Sequence, residues 1–124
     1  MPKKLLIIED DLDIQAVLYY IFVEEGYEVE LSENGDAAGD MAEPFPDLIL
    51  MDVQLKGALK NGDAVCLLLK SVAATHDLPV ILLSAECDLN LICKACGADG
   101  FLCKPFDVAR LTGLVAELIG KAAA

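Results

Sequence analysis

Short apolar stretches of strand length alternate along this chain with segments whose apolar residues recur at helical spacing. Three of these stretches, Leu5–Ile8, Leu48–Met51 and Val80–Leu83, are apolar throughout. Strands of that kind are buried on both faces, which is typical of a parallel sheet covered by helices. The pattern predicts an α/β fold with helices on both sides of the sheet, because parallel crossovers are right-handed.

Two further strands, about Tyr27–Leu31 and Gly100–Cys103, complete five repeats of strand then helix. Asp11 is predicted at or near the N-cap of the first helix, and Gly26 and Gly97 at the ends of helices. The second helix is predicted to be weak, from Asn34 to about Met41. The apolar stripes of the other four helices are predicted to be Ile14, Val17, Leu18, Ile21 and Phe22; Val65, Leu68, Leu69 and Val72; Leu89, Ile92, Cys93 and Cys96; and Leu111, Leu114, Val115, Leu118 and Ile119.

Length and composition favour one compact domain spanning residues 1–124, with 56% apolar residues. No apolar run approaches the roughly 20 residues needed to cross a bilayer, and the N-terminus does not resemble a signal peptide. We therefore expect no membrane association and a cytoplasmic location, with the five cysteines as reduced thiols. The formal net charge of −12 disfavours direct binding to nucleic acid.

Residues of three chemical types follow the predicted strands. Glu9, Asp10 and Asp11 follow the first strand, Asp52 the third, Ser84 the fourth and Lys104 the fifth. In a doubly wound sheet, ligands bind beyond the carboxyl ends of the strands, so these side chains are expected to surround one crevice.

The chemistry of this set is consistent with phosphoryl transfer. Carboxylates that crowd together repel one another, and a hard divalent cation such as Mg²⁺ relieves that repulsion through oxygen ligands. A carboxylate can also act as a nucleophile and become an aspartyl phosphate. A serine hydroxyl and a lysine ammonium can hold the phosphoryl oxygens, so the set supplies the positioning and charge neutralisation that the reaction needs.

On these residues the chain resembles the receiver domains of two-component response regulators, from Lys4 to about Leu118. The matching pieces, in order, are Leu-Leu-Ile-Ile-Glu-Asp-Asp (5–11), Asp-Leu-Ile-Leu-Met-Asp (47–52), Val-Ile-Leu-Leu-Ser-Ala (80–85), Gly-Ala-Asp-Gly-Phe (97–101) and Lys-Pro-Phe (104–106). Each piece alone is weak, but their order and spacing together are specific. The resemblance implies a flavodoxin-like (βα)5 sandwich with strand order 2-1-3-4-5.

The resemblance also implies a role for each member of the set. Asp52 is the expected phosphoacceptor. Mg²⁺, or Mn²⁺ as the alternative ion, is expected on Glu9, Asp10, Asp52 and the backbone carbonyl of Gln54. Phosphoryl binding and switching are implied for Ser84, Ala85, Lys104 and Phe101, and tuning of dephosphorylation for Gln54 and Glu86.

A receiver domain is a regulatory domain and not an enzyme with a separate substrate. The expected phosphodonor is a phosphohistidine of a sensor histidine kinase or a histidine phosphotransfer protein. The expected output is a shape change in the face formed by the fourth helix, fifth strand and fifth helix, which an unidentified protein or effector domain would recognise. The domain is expected to be a monomer or a phosphorylation-dependent dimer.

Two other functional classes stay open at this point. One is a receiver-like module that binds partners without phosphorylation, and the other is an aspartate-nucleophile phosphatase, for which 124 residues leave little room. The chain also departs from the family pattern. The loop after Asp52 is about two residues longer, with Lys56 near the usual proline position. The segment between Ser84 and Gly97 is correspondingly shorter, which predicts an altered fourth helix or an altered loop before it, in the region that usually belongs to the output face.

Two features have competing interpretations. Cys93 and Cys96 form a C-x-x-C pair, but they lie on a predicted apolar stripe and His76 is the only histidine, so small buried residues are favoured over a redox or zinc site. Phe101 is equally consistent with core packing and with a switching aromatic side chain.

Overall fold

The computed structural model describes residues 3–33, 45–53, 62–84, 97–104 and 106–123. Five strands, β1 (Lys4–Ile8), β2 (Glu28–Ser32), β3 (Leu48–Asp52), β4 (Val80–Ser84) and β5 (Gly100–Cys103), form one parallel sheet in the order β2-β1-β3-β4-β5. The described helices are α1 (Leu12–Glu24), α2 (Gly62–Ser71) and α3 (Val108–Ala123). The predicted fold class and strand order are confirmed.

Each central strand contributes alternate side chains to two hydrophobic cores, one on each face of the sheet. Leu6 and Ile8 of β1 pack on the α2 side with Val65, whereas Leu5 and Ile7 pack on the side of α1 and α3. The strands β3 and β4 alternate in the same way, and all of their residues are buried. The continuous apolar runs in the sequence are explained by this burial on both faces.

The first helix begins and ends where the sequence predicts. Asp11 is the N-cap residue, and its side chain accepts hydrogen bonds from the backbone N–H groups of Asp13 and Ile14. At the other end Gly26 has a φ of +94°, a conformation that glycine adopts without a Cβ penalty. The backbone N–H of Tyr27 then donates to the carbonyl of Phe22, which closes the helix and directs the chain into β2.

Some predicted details are wrong. Strand β2 begins at Glu28, one residue later than predicted, and the ring of Tyr27 packs against that of Phe22 in a T-shaped arrangement with a centroid distance of 5.8 Å. In α1, Val17 of the predicted stripe is exposed. The helices predicted over 34–41 and 89–96 lie outside the described residues, as does most of the long loop after Asp52. Within the described ranges, no helix combines the length and hydrophobicity needed to cross a bilayer.

The buried stripe of α2 also differs from the prediction. Val65 and Leu69 are buried as expected, but Leu68 is exposed, and its place in the core is taken by Cys66. Val72 lies beyond the end of the helix and is exposed as well. Apolar residues occupy several adjacent positions of this helix, so periodicity alone did not determine which side faces the sheet.

The orientation of α2 predicts unequal effects of two neighbouring leucine truncations. Leu69→Ala should lower the free energy of unfolding by about 2–5 kcal/mol, because its side chain is only 4% exposed and truncation leaves a cavity. Leu68→Ala should cost under about 1 kcal/mol, because that side chain is 43% exposed. Urea unfolding of the two variants measures the difference, and equal losses would contradict the described orientation.

Candidate functional site

The sheet continues for one backbone hydrogen bond beyond the ends of three strands. The N–H of Glu9 donates to the carbonyl of Ser32 (3.0 Å), that of Val53 to Leu83 (2.8 Å) and that of Lys104 to Ser84 (2.7 Å). Glu9 and Lys104 are therefore held by the sheet although they lie outside the strands. Each of the two backbones is tied to its neighbouring strand by one hydrogen bond of the parallel ladder.

Three acidic side chains converge at this edge of the sheet. Carboxylate oxygens of Glu9, Asp10 and Asp52 all lie within 4.8 Å of one another. Glu9 and Asp52 are buried, with 1% and 6% exposure, and Asp10 is half-buried. Buried carboxylates at such separations repel one another strongly unless a cation or protons balance them.

Lys104 supplies part of the balancing charge. Its Nζ donates hydrogen bonds of 2.9 Å to Glu9 Oε2 and 2.9 Å to Asp52 Oδ2. One ammonium group thus bridges carboxylates from two strand ends, and the half-buried setting makes both contacts stronger than exposed ion pairs. An excess of acidic groups remains beside it, and oxygen donors in this arrangement fit a hard divalent cation.

The crowding changes the pKa values of two groups. The pKa of Glu9 is raised from its ordinary 4.5 to about 7, mainly by burial and with a smaller contribution from Asp52, while the hydrogen bonds from Lys104 and from the backbone of Asp11 act against this rise. Burial lowers the pKa of Lys104, but its contacts with Glu9 and Asp52 outweigh this, so that pKa is raised overall. Lys104 therefore stays charged at neutral pH.

Ser84 and Phe101 lie on the two strands next to this cluster. Ser84 is buried at the end of β4, one residue beyond Leu83, the register partner of Asp52. Phe101 lies opposite Leu82 in β5 and is 36% exposed, so it belongs to neither hydrophobic core. The structure thus contradicts the core-packing interpretation of Phe101.

Several predicted residues lie outside the described part of the chain. These are Gln54, Ala85, Glu86 and the C-x-x-C pair Cys93 and Cys96. Of the cysteines that the structure describes, Cys66 is buried and Cys103 is half-buried, both as thiols.

Two residues near the cluster make hydrogen bonds there that the sequence did not predict. Besides capping α1, Asp11 donates its backbone N–H to Glu9 Oε1 at 3.2 Å. The side-chain amide of Gln15 donates to the backbone carbonyls of Glu9 (3.2 Å) and Ser32 (3.3 Å). One feature of the sequence could have identified Gln15. It is a polar residue between Ile14 and Leu18, on the side of the helix that faces the sheet.

The geometry can now be compared with known proteins. The sequence pattern of the response regulator receiver domain matches residues 5–116, nearly the whole chain. The chain belongs to this family. Its resemblance to receiver domains is therefore confirmed, and the acidic cluster lies in a regulatory domain of two-component signalling.

The curated relatives include longer proteins. The chain is 32% identical over 118 residues to the phosphate regulon transcriptional regulatory protein PhoB of Klebsiella pneumoniae, covering 93% of this chain and 51% of that protein. The PhoB protein of Escherichia coli K12 is 30% identical over the same length, with the same coverage. The chain thus spans about half the length of the curated relatives it matches.

Solved receiver structures share the fold over nearly the whole chain. A putative response regulator from Chloroflexus aurantiacus superposes with a TM-score of 0.89 at 27% identity, covering 97% of this chain and 99% of that one. The receiver domain of a sensor histidine kinase from Pseudomonas aeruginosa PAO1 gives 0.84 at 28% identity, covering 97% and 99%. That structure holds a magnesium ion in its active site cleft.

The raised pKa of Glu9 predicts an unusual pH dependence of stability in the metal-free protein. The folded chain keeps the Glu9 proton up to about pH 7, whereas the unfolded chain releases it near pH 4.5. The folded state binds more protons within this window, so the contribution of Glu9 to the free energy of unfolding falls as pH rises from 4.5 through 7. Urea unfolding of the wild type and of Glu9→Gln across this range isolates the effect, and parallel pH profiles would contradict it.

Proposed function

We propose that this chain is a phosphoacceptor signalling domain that takes a phosphoryl group onto Asp52 from a phosphohistidine donor in a Mg²⁺-dependent reaction. The observation that carries the proposal is the bridge from Lys104 Nζ to the carboxylates of Glu9 and Asp52, with Asp10 beside them. Residues 1–124 would form a single receiver domain. The domain would assist its own phosphorylation and dephosphorylation without turning over a separate substrate.

The described carboxylates fit the metal that this chemistry requires. Glu9, Asp10 and Asp52 would hold Mg²⁺, or Mn²⁺ as the alternative ion, together with the backbone carbonyl of Gln54. When bound, the ion neutralises the acidic cluster and the charge of the incoming phosphoryl oxygens. This fit is supported by the magnesium ion in the Pseudomonas aeruginosa receiver domain.

The nucleophile in the proposed transfer is a carboxylate oxygen of Asp52. It forms a bond to phosphorus as the phosphorus–nitrogen bond to the donor histidine breaks, and the electron pair of that bond returns to the imidazole ring. Lys104, whose Nζ lies 2.9 Å from Asp52 Oδ2, would hold a phosphoryl oxygen through its ammonium group. Ser84 would offer its hydroxyl to another oxygen, and Ala85 is the small residue that follows it.

Phosphorylation would then shift the population of the domain between two shapes. It replaces a single negative charge on Asp52 with about two, so Lys104 and Ser84 gain new contacts that favour one conformation. Both residues adjoin β5, where Phe101 is partly exposed and would change its position as the domain switches. The surface around β5 would present the altered face to the output partner, and Gln54 and Glu86 would set the lifetime of the phosphoryl group.

The partners follow from this role. A sensor histidine kinase or histidine phosphotransfer protein would supply the phosphoryl group, and an output protein or effector domain would read the switched face. The domain would act as a monomer or as a phosphorylation-dependent dimer. The acidic surface, with a net charge of −12, favours protein partners over nucleic acid for this chain.

Phosphorylation by a small phosphodonor tests the proposal. With Mg²⁺ and acetyl phosphate, intact-mass spectrometry should show the addition of one phosphoryl group to the wild type and none to Asp52→Asn, which lacks the nucleophilic oxygen. Asp47→Asn is the matched control and should keep the adduct, because Asp47 lies at the opposite end of β3 and accepts from the backbone of Lys4. An adduct that survives Asp52→Asn, or none on the wild type, would rule the assignment out.

Removal of the lysine should separate phosphorylation from switching. Lys104→Ala should keep the fold and still accept a phosphoryl group on Asp52, but it loses the ammonium contact that favours the switched shape. Backbone NMR shifts that phosphorylation causes along β5 should therefore shrink in the variant. Shifts of wild-type size would show that Lys104 has no part in the switch.

A further inference from the structure

We propose that Gln15 is a positioning residue that aims the acidic pair Glu9 and Asp10 at the shared cation site by tying together the carboxyl ends of β1 and β2. The inference rests on the proposed function, because it concerns the same metal-binding acids. It assigns a role to a residue outside the set proposed to hold the metal and the phosphoryl group.

The junction that Gln15 braces is short. Strand β1 ends at Ile8 and α1 begins at Leu12, with Asp11 as its cap. Glu9 and Asp10 are therefore the only residues between the last strand residue and the helix cap. A change in the backbone conformation of this junction would move the carboxylates that must converge on one ion.

One side of the junction depends on an edge strand. The last backbone hydrogen bond between β1 and β2, which we call the terminal rung, joins Glu9 N–H to the carbonyl of Ser32. Strand β2 is paired only with β1, at the edge of the described sheet. Edge strands lack a second neighbour that would hold them in place. The position of Glu9 is therefore supported from this side by one rung at the end of a strand.

The amide of Gln15 reinforces this rung. Its Nε2 carries two hydrogens and donates one bond to the Glu9 carbonyl at 3.2 Å and one to the Ser32 carbonyl at 3.3 Å. The backbone N–H of Gln15 donates to the carbonyl of Asp11 at 2.9 Å. Gln15 thus donates to Glu9 at the start of the junction, to Asp11 at its end, and to Ser32 of the neighbouring strand β2.

This bracing extends to the side chain of Glu9. The N–H of Asp11 donates to Glu9 Oε1, and Lys104 donates to Glu9 Oε2, so both oxygens have fixed donors whose relative positions depend on the junction. If the folded chain already holds the carboxylates in place, less free energy is spent on ordering them when the ion binds. Groups that orient metal ligands in this way alter metal affinity although they never touch the metal.

The Gln15→Met variant tests the inference, since methionine keeps a similar length and removes both donors. In the metal-free protein, NMR hydrogen exchange of the Glu9 amide should accelerate about tenfold, because its rung loses the brace. Calorimetric titration should show Mg²⁺ affinity reduced by about tenfold. The rate of phosphorylation at saturating Mg²⁺ should stay near that of the wild type.

A control on the same helix separates positioning from general stability. Ile21→Val removes one methylene from a partly buried side chain far from the junction and should leave both the Glu9 exchange rate and the Mg²⁺ affinity unchanged. Should Gln15→Met not fold, Gln15→Asn applies the same test, since its amide is one methylene too short to reach both carbonyls.

The outcomes are distinguishable. Wild-type exchange and Mg²⁺ affinity in the Gln15 variant would overturn the positioning role alone and leave the proposed function intact. An equal weakening of Mg²⁺ binding in Ile21→Val would also overturn it, because stability and not the brace would then control the site. A wild-type protein that binds no Mg²⁺ would overturn the proposed function and the inference together.

Discussion

The charge balance between Lys104 and the two carboxylates it bridges is the constraint on which the site depends. Glu9 and Asp52 are too deeply buried to carry unopposed charges, and Lys104 reaches both at 2.9 Å. The partners come from β1, β3 and the end of β5, and Glu9 and Lys104 are separated by 95 positions in the sequence. The cluster can therefore form only when four neighbouring strands of the sheet are assembled in order.

The two hydrophobic cores hold those strands in register. Each central strand sends alternate apolar side chains to opposite faces, so a slip of one residue would exchange the faces and move every side chain to the wrong layer. Asp52 is the last residue of β3 and Ser84 the last of β4, and their positions are set by the buried residues that precede them. The stability of the sheet and the geometry of the site thus have the same physical origin.

Much of the fold and of the candidate site could be predicted because each rests on local patterns. Apolar runs located the strands within about one residue, and Glu9, Asp52 and Lys104 could be identified because they follow such runs. Contacts that depend on the exact rotation of a helix could not be predicted. The sequence of α2 offers apolar residues on more than one side, and only the packed position of the helix on the sheet shows that Cys66 and not Leu68 lies in the core.

The amide of Gln15 was missed for a related reason. A glutamine facing a sheet is equally compatible with several acceptors, and only the folded positions of the Glu9 and Ser32 carbonyls show which ones it contacts. The prediction that the fourth helix forms part of the output surface stays a prediction, because residues 85–96 lie outside those the structure describes.

The backbone hydrogen bond from Lys104 to Ser84 has a consequence for the kind of signal the domain sends. At 2.7 Å it joins the backbones of the two residues that would hold the phosphoryl oxygens, so a backbone displacement of one is transmitted to the other. Coupling of this kind would disfavour molecules in which only one of the two residues has moved. The level of the output would then follow the fraction of molecules that have switched, and not the distance that each molecule has moved.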